Sequence, residues 1–331
     1  MLTHRQRIEN AIAMKENDRT PYSMWMHFPN RDRSPRRLAE LALRDQKKYD
    51  LDFIKFMPFG MYTTIDLGVD LDVFPGFEKA PVQHEPIIKG AKDFDRLRPV
   101  SGTRGEYAIV LEAQRIVMEN MTEHVPFLQT VFSPATTLAK ICSPAALTKF
   151  MDEDPARVHR ALEMVTDTTL QFVRASMALG ADGFFFATQL SGRRTMSTEH
   201  HQEFVRKYDL QILNAVKNDT WFNVLHMHGA EVRIDEVQDY PVQGLSWHDR
   251  DDGPSMDEVR KYSTKAFVGG LSWGENWLTK TEAQVVAEVR EMCGRPGVIV
   301  GPGCVIEPHT PEKYLELVHK TVLESAKSCR K

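Results

Sequence analysis

None of the four cysteines, Cys142, Cys293, Cys304 and Cys329, pairs with another in a C-x-x-C spacing. Neither a disulfide framework nor a zinc ribbon is therefore indicated. Apolar runs are short, and no stretch approaches the roughly 20 residues that a membrane span needs. No block of basic residues marks a nucleic-acid surface, and the net charge of −4 is mild. The opening Met1-Leu2-Thr3-His4-Arg5-Gln6-Arg7 is too polar for a secretory signal. A Gly-rich phosphate loop after an early strand is missing, which counts against an open doubly wound sheet. No Gly/Ser linker or low-complexity segment divides the chain. These absences leave a cytoplasmic enzyme acting on a small molecule, with no nucleic-acid and no membrane partner.

What is present is an alternation of short apolar or β-branched runs with helical patterns across 331 residues. The predicted strands are 22–26, 53–57, 125–132, 183–187, 222–226, 244–247, 266–271 and 297–301. Helices are predicted over 35–50, 134–149, 155–179, 198–217, 233–237, 256–262, 282–292 and 311–327. Pro134, Pro155 and Pro311 stand near helix starts, where a missing N–H leaves no bond unmade. Eight strands separated by helices imply parallel pairing and closure into a (β/α)8 TIM barrel. Residues 1–20 read as a leading helix, and 58–124 as an insertion over the C-terminal mouth. The expectation is one domain over 1–331.

In a barrel, strand ends converge on the active site. The most informative strand end is Leu225-His226-Met227-His228-Gly229, preceded by the apolar Trp221, Phe222 and Val224. Along a strand, positions i and i+2 point the same way, so His226 and His228 could hold one cation. Cys304, in Gly301-Pro302-Gly303-Cys304 after the last strand, is a third ligand that would suit zinc. His248 or Asp249 could complete the set, and Glu307 or His309 beside Cys304 are further candidates. Ordinary core or loop histidines are the alternative. Other polar residues at strand ends are Gln129, Gln189, Arg193, His27 and Arg31, with Tyr62 reaching inward from the insertion and Trp247 among the apolar lining. An arginine there suits an anionic substrate group, and Arg193 is preferred to Arg31 because it follows a strand end directly.

The order of these pieces resembles the uroporphyrinogen decarboxylase superfamily, which also holds the zinc-dependent methyltransferases of corrinoid systems. The likeness rests on the Arg5–Arg19 helix leading to Pro21, on Phe132-Ser133-Pro134-Ala135-Thr136-Thr137-Leu138 and on Leu179-Gly180-Ala181-Asp182-Gly183. It continues through His226-Met227-His228-Gly229 and Gly301-Pro302-Gly303-Cys304, then Pro308-His309-Thr310-Pro311. The decarboxylase resembles a polycarboxylate clamp with an R-Q-A-G-R segment, of which Met26-His27-Phe28-Pro29-Asn30-Arg31 keeps only Arg31. After the second strand, Lys55-Phe56-Met57-Pro58-Phe59 carries no carboxylate, and Cys304 stands where the decarboxylase has histidine. The methyltransferase branch uses H-x-C and a later G-C-x-x-P cysteine, so His226 and Cys304 match while His228 replaces a cysteine.

The resemblance implies a zinc-dependent (or similar divalent metal) methyltransferase. It would move a methyl group between a methylcorrinoid protein and a small acceptor, a thiol or a tetrahydrofolate-type amine. His226, His228 and Cys304 would then be the catalytic metal ligands. The corrinoid would sit on a partner protein, since no D-x-H-x-x-G occurs here. The alternative is a metal-dependent lyase or hydrolase on the same barrel with no corrinoid partner, and a metal-free binding protein is a third class. A homo-oligomer is compatible with all three.

Overall fold

The computed structural model describes residues 1–328 apart from Phe77, Glu78 and Ala80; Cys329 lies outside the described residues. Among the described residues nine strands are formed: β1 (Ile54–Phe56), β2 (Leu71–Asp72), β3 (Val82–Gln83), β4 (Phe127–Phe132), β5 (Gly183–Thr188), β6 (Val224–Met227), β7 (Gly244–Ser246), β8 (Ala266–Leu271) and β9 (Val298–Pro302). Seven of them pair in parallel in the order β1-β4-β5-β6-β7-β8-β9. The remaining two form a small antiparallel hairpin, Leu71 opposite Gln83.

The expected first strand, 22–26, does not form a continuous ladder. Tyr22 bridges Val300 and Met26 bridges Ile306, both in parallel. On its other side Tyr22 O accepts from Asp52 N at 2.9 Å, and Ser23 Oγ donates to Phe53 O at 2.8 Å. This segment thus fills the eighth position between β9 and β1. The barrel closes through a seam of isolated bonds rather than a full strand.

Alternation along the strands separates two apolar layers. Trp25, Phe53, Met57, Leu128, Phe185, Val224, Val268 and Ile299 pack together inside the barrel. Their outward neighbours, among them Phe127, Val131, Phe184, Phe186, Leu225, Leu245, Phe267 and Val300, pack under the helices. Gly301 is small because an added Cβ would meet the Trp25 ring at 2.9 Å.

Among the described residues four helices start with proline at the first turn: Pro35–Tyr49, Pro134–Cys142, Pro144–Glu153 and Pro155–Ala178. The sequence suggests a single helix over 134–149. It breaks instead at Ser143, whose φ of 113° lies in the left-handed region, immediately before Pro144. The 233–237 helix is one 3-10 turn, Ile234–Val237. The insertion also divides. Its helix Gly105–Asn120 packs on Pro35–Tyr49 in the outer layer and serves as the crossover into β4. Val73, Lys79 and Pro81 instead line a cavity with His27, Gly60 and Val305, so only the earlier part of 58–124 reaches the strand ends.

Candidate metal centre

On β6 the inward parity set by Val224 brings His226 into the barrel, where it is buried. Its register partner on β7 is Ser246, whose Oγ lies 3.1 Å from His226 Nδ1. His248 lies two residues past the end of β7, and its side chain is 1% exposed. Cys304 follows the end of β9 by two residues. Donor atoms of His226, His248 and Cys304 all lie within 4.8 Å of one another.

His248 Nδ1 meets the Asp252 carboxylate at 2.6 Å. Its Nε2 is buried with no hydrogen-bond partner, an arrangement that wastes a polar atom unless a ligand or metal takes it. One ring nitrogen of each histidine is held by a side-chain oxygen, which fixes the ring and leaves the other nitrogen available to a metal. Burial pulls His226 well below the ordinary histidine range and lowers His248 too, though Asp252 opposes the latter. Both rings are then neutral at pH 7, as metal ligands must be. Burial pushes the Cys304 thiol up to about 11, with the Lys55 charge acting against it. Two neutral imidazoles and one thiol that a cation would deprotonate make a donor set suited to zinc, with a fourth position left for substrate.

His228, expected as a ligand, stands outside the cluster. Strand β6 ends at Met227, so the i, i+2 argument does not carry to residue 228. The chain turns there through Gly229, whose φ is +97°. The His228 ring instead stands edge-on to His248, 4.5 Å between centroids, with Trp273 4.3 Å from His248 on another side.

The profile of the family described as uroporphyrinogen decarboxylase (URO-D) matches residues 3–325. The chain belongs to the URO-D family. The chain is 23% identical over 291 residues to the methylcobamide:CoM methyltransferase MtaA of Methanosarcina barkeri, covering 86% of this chain and 83% of that one. To the uroporphyrinogen decarboxylase of Syntrophotalea carbinolica it is 25% identical over 261 residues, 74% of this chain and 73% of the other. Among solved structures, a methyltransferase from Methanosarcina mazei superposes with a TM-score of 0.84 at 20% identity, covering 100% of both chains. The URO-D-like TIM barrel is the fold in both respects. Among the described residues no helix is long and apolar enough to cross a membrane.

Against this URO-D frame the other expected site residues scatter. His27 lines a cavity of about 260 Å³ with Phe59, Gly60 and Val305. Arg193, the expected anion receptor, already donates to both Asp235 oxygens at 2.7 and 2.8 Å and to Glu236 at 3.0 Å. Its charge is matched by two carboxylates of the Ile234–Val237 turn that follows β6. Arg31 is exposed beside Arg37 and Arg44. Gln129 faces outward, donating to Gln114 Oε1 at 3.4 Å, because its neighbour Leu128 takes the inward position. Tyr62 donates to Thr130 O at 3.1 Å and packs on Tyr107 and Phe172. Trp247 packs edge-on to Phe267 in the outer layer, its Nε1 donating to Pro254 O. Gln189 donates its backbone N–H to Thr136 Oγ1. Asp249 accepts from Gly270 N at 3.0 Å, fastening the loop to β8. His309 is half-exposed near Glu275.

Two residues at the mouth had no part in the sequence expectation. Lys55 points inward from β1, 9% exposed, with its Nζ over the rings of Phe185 and Trp25 at 4.6 and 5.3 Å. Lys140, on Pro134–Cys142, donates to Gly60 O at 2.7 Å and lies 3.2 Å from the Phe132 ring centroid. The signal for Lys55 was present in Phe53-Ile54-Lys55-Phe56-Met57, as a lysine at an inward position of an otherwise apolar run.

Proposed function

We propose that the protein is a zinc-dependent methyltransferase of a corrinoid-linked system, moving a methyl group between a methylcorrinoid protein and a small acceptor such as a thiol. The observation that carries this reading is the buried His226–His248–Cys304 cluster with the unpartnered Nε2 of His248. The likeness to MtaA supports the reaction class. Zinc bound there would supply Lewis acidity, lowering the pKa of a thiol acceptor. His226 and His248 would hold it through neutral imidazoles, Ser246 and Asp252 would fix the two rings, and Cys304 would add a thiolate. His228 and Trp273 wall the site beside His248. The cavity at His27 has room for a small molecule, at the lower end of ligand pockets. That size and the exposed Arg31 speak against a tetrapyrrole with many carboxylates.

The test is metal analysis of the purified chain with a transfer assay from methylcobalamin to a thiol. Near-stoichiometric zinc and thiol methylation abolished in Cys304→Ser are expected, because a hydroxyl does not ionise to replace the thiolate. Protein that binds no divalent metal, with Cys304→Ser fully active, would remove the basis of the reading. The donor set of two imidazoles and one thiolate also favours a second reading. Replacing thiolate by neutral imidazole makes the metal a stronger Lewis acid, which suits a lyase or hydrolase. Turnover that needs zinc but no corrinoid would select it.

A further inference from the structure

The polar lining of the cavity at His27 consists of His27, Asn30, Asp32, Lys79 and Glu307. A buried carboxylate is normally paired, because an unpaired anion taken from water loses its hydration. Asp32 is 5% exposed, yet among the described residues its carboxylate forms no ion pair. Burial pushes it up to about 6, against its own backbone N–H and the charge of Arg33. Arg33 itself pairs with Glu106. Glu307 is half-buried and is also without an ion pair among the described residues.

The backbone brings these groups together. Met26 bridges Ile306 in parallel, and Ile306 N donates to Trp25 O at 3.1 Å, which sets Glu307 level with His27. The Phe28 carbonyl accepts from Arg31 N and Asp32 N at 2.9 and 3.0 Å, closing a turn that holds Asn30 at a φ of +67°. Asparagine tolerates that left-handed backbone better than most residues. Its Nδ2 donates to Gly76 O at 3.2 Å. A carbonyl only accepts, so the free end of the amide is the oxygen, and Oδ1 is buried with no partner. Opposing charge is slight. Lys79 is exposed, with its stem beside Gly76. Burial, with the charges of Lys55 and Lys140, holds His27 at about 4, so the ring is neutral. Neither of those two lysines lines the cavity, whose apolar wall is Phe59, Val73 and Ile306.

We propose that this cavity binds the ammonium end of a small primary amine, with Asp32, Glu307 and Asn30 Oδ1 as its three acceptors and the apolar wall around its body. A primary ammonium has three N–H donors to match them, and two of the three acceptors bring opposite charge. A quaternary ammonium has no N–H to donate and is held by a cage of aromatic faces, whereas this cavity offers Phe59 and a histidine. The occupant's role as a substrate rests on the metal reading above, because Val305 of the cavity follows the proposed ligand Cys304; the preference for an ammonium does not. An unpaired Asp32 lowers stability, which a binding site tolerates.

The experiment is calorimetric binding of butylammonium, 1-butanol, butyrate and tetramethylammonium near pH 8, where Asp32 is ionised. Wild type, Asp32→Asn, Glu307→Gln and Lys79→Met are compared, each with and without zinc. Butylammonium should bind wild type about tenfold or more tightly than any other probe. Asp32→Asn and Glu307→Gln should each lose about tenfold for butylammonium and leave 1-butanol unchanged, while Lys79→Met gains affinity for the cation. Asp32→Asn should melt no lower than wild type, which separates lost charge from lost folding. An ammonium preference that persists in zinc-free protein upholds the site even if the metal reading fails. Equal binding of ammonium and alcohol by zinc-loaded protein that methylates a thiol would overturn the site and leave the metal reading standing. Tighter binding of butyrate or tetramethylammonium, or no binding of butylammonium, overturns it as well.

Discussion

Asp252 bonds one nitrogen of His248 and so fixes which lone pair the other presents. We predict that Asp252→Asn weakens zinc binding 10–100-fold in a chelator competition. Wild-type affinity in that variant would reduce Asp252 to a loop contact. Gly301→Ala drives a methyl into the Trp25 ring, and overpacking of this kind is expected to destabilise by about 1–3 kcal/mol, measured by urea unfolding. At this scale the sequence was informative at strand ends. His226, His248 and Cys304 are all legible as strand-end residues. His228 was expected among the ligands, but the chain turns at Gly229 and its ring stands beside His248, outside the cluster. Lys55 was passed over because a lone lysine in an apolar run reads as the edge of a core. Only the barrel shows that its side chain has nowhere outward to go.

Among the elements, the helix His4–Ile12 shows how far an end of the chain can be pinned. Arg7 donates to Asp18 at 2.7 Å and to the buried Asp52 at 3.2 Å, and Arg19 pairs with Asp52 too. Burial alone would raise Asp18, but the Arg7 bonds and the N–H groups of Leu2 and Arg19 hold it at about 2. A carboxylate depressed in the folded state stabilises above its unfolded pKa, near 3.8, and that contribution fades as pH falls toward 2. Asp18→Asn should therefore lose on the order of 2 kcal/mol at pH 7, with the gap to wild type closing between about pH 4 and pH 2 in denaturant titrations. A gap independent of pH would show that the ion pair is not its source. The alternation of strands and helices was readable because parallel strands buried on both faces leave continuous apolar runs. The break at Ser143 and the outer-layer place of Gly105–Asn120 were not, since both depend on what the helices pack against.

For the molecule as a whole, the metal reading has a thermodynamic corollary. A ligand that binds only the folded chain stabilises it by about 2.7 kcal/mol at a hundredfold excess over Kd. Zinc-loaded protein is predicted to melt several degrees above chelator-stripped protein, an increment that Cys304→Ser should abolish; coincident melts would count against zinc as a native ligand. We also propose that residues 1–331 unfold as one unit, to be checked by a single calorimetric transition. The seam at Tyr22 carries a consequence for the order of events during synthesis. Tyr22 is made long before its partner Val300. At ~10 residues per second the first segment waits about half a minute for the edge it will join. Through that interval the growing sheet has an open margin at β1, and the apolar Phe53, Trp25 and Met57 lack the Ile299 side of their packing. The nascent chain thus carries an unpaired sheet margin until Val300 is made, and a chaperone that shields exposed strand edges would matter most over that interval.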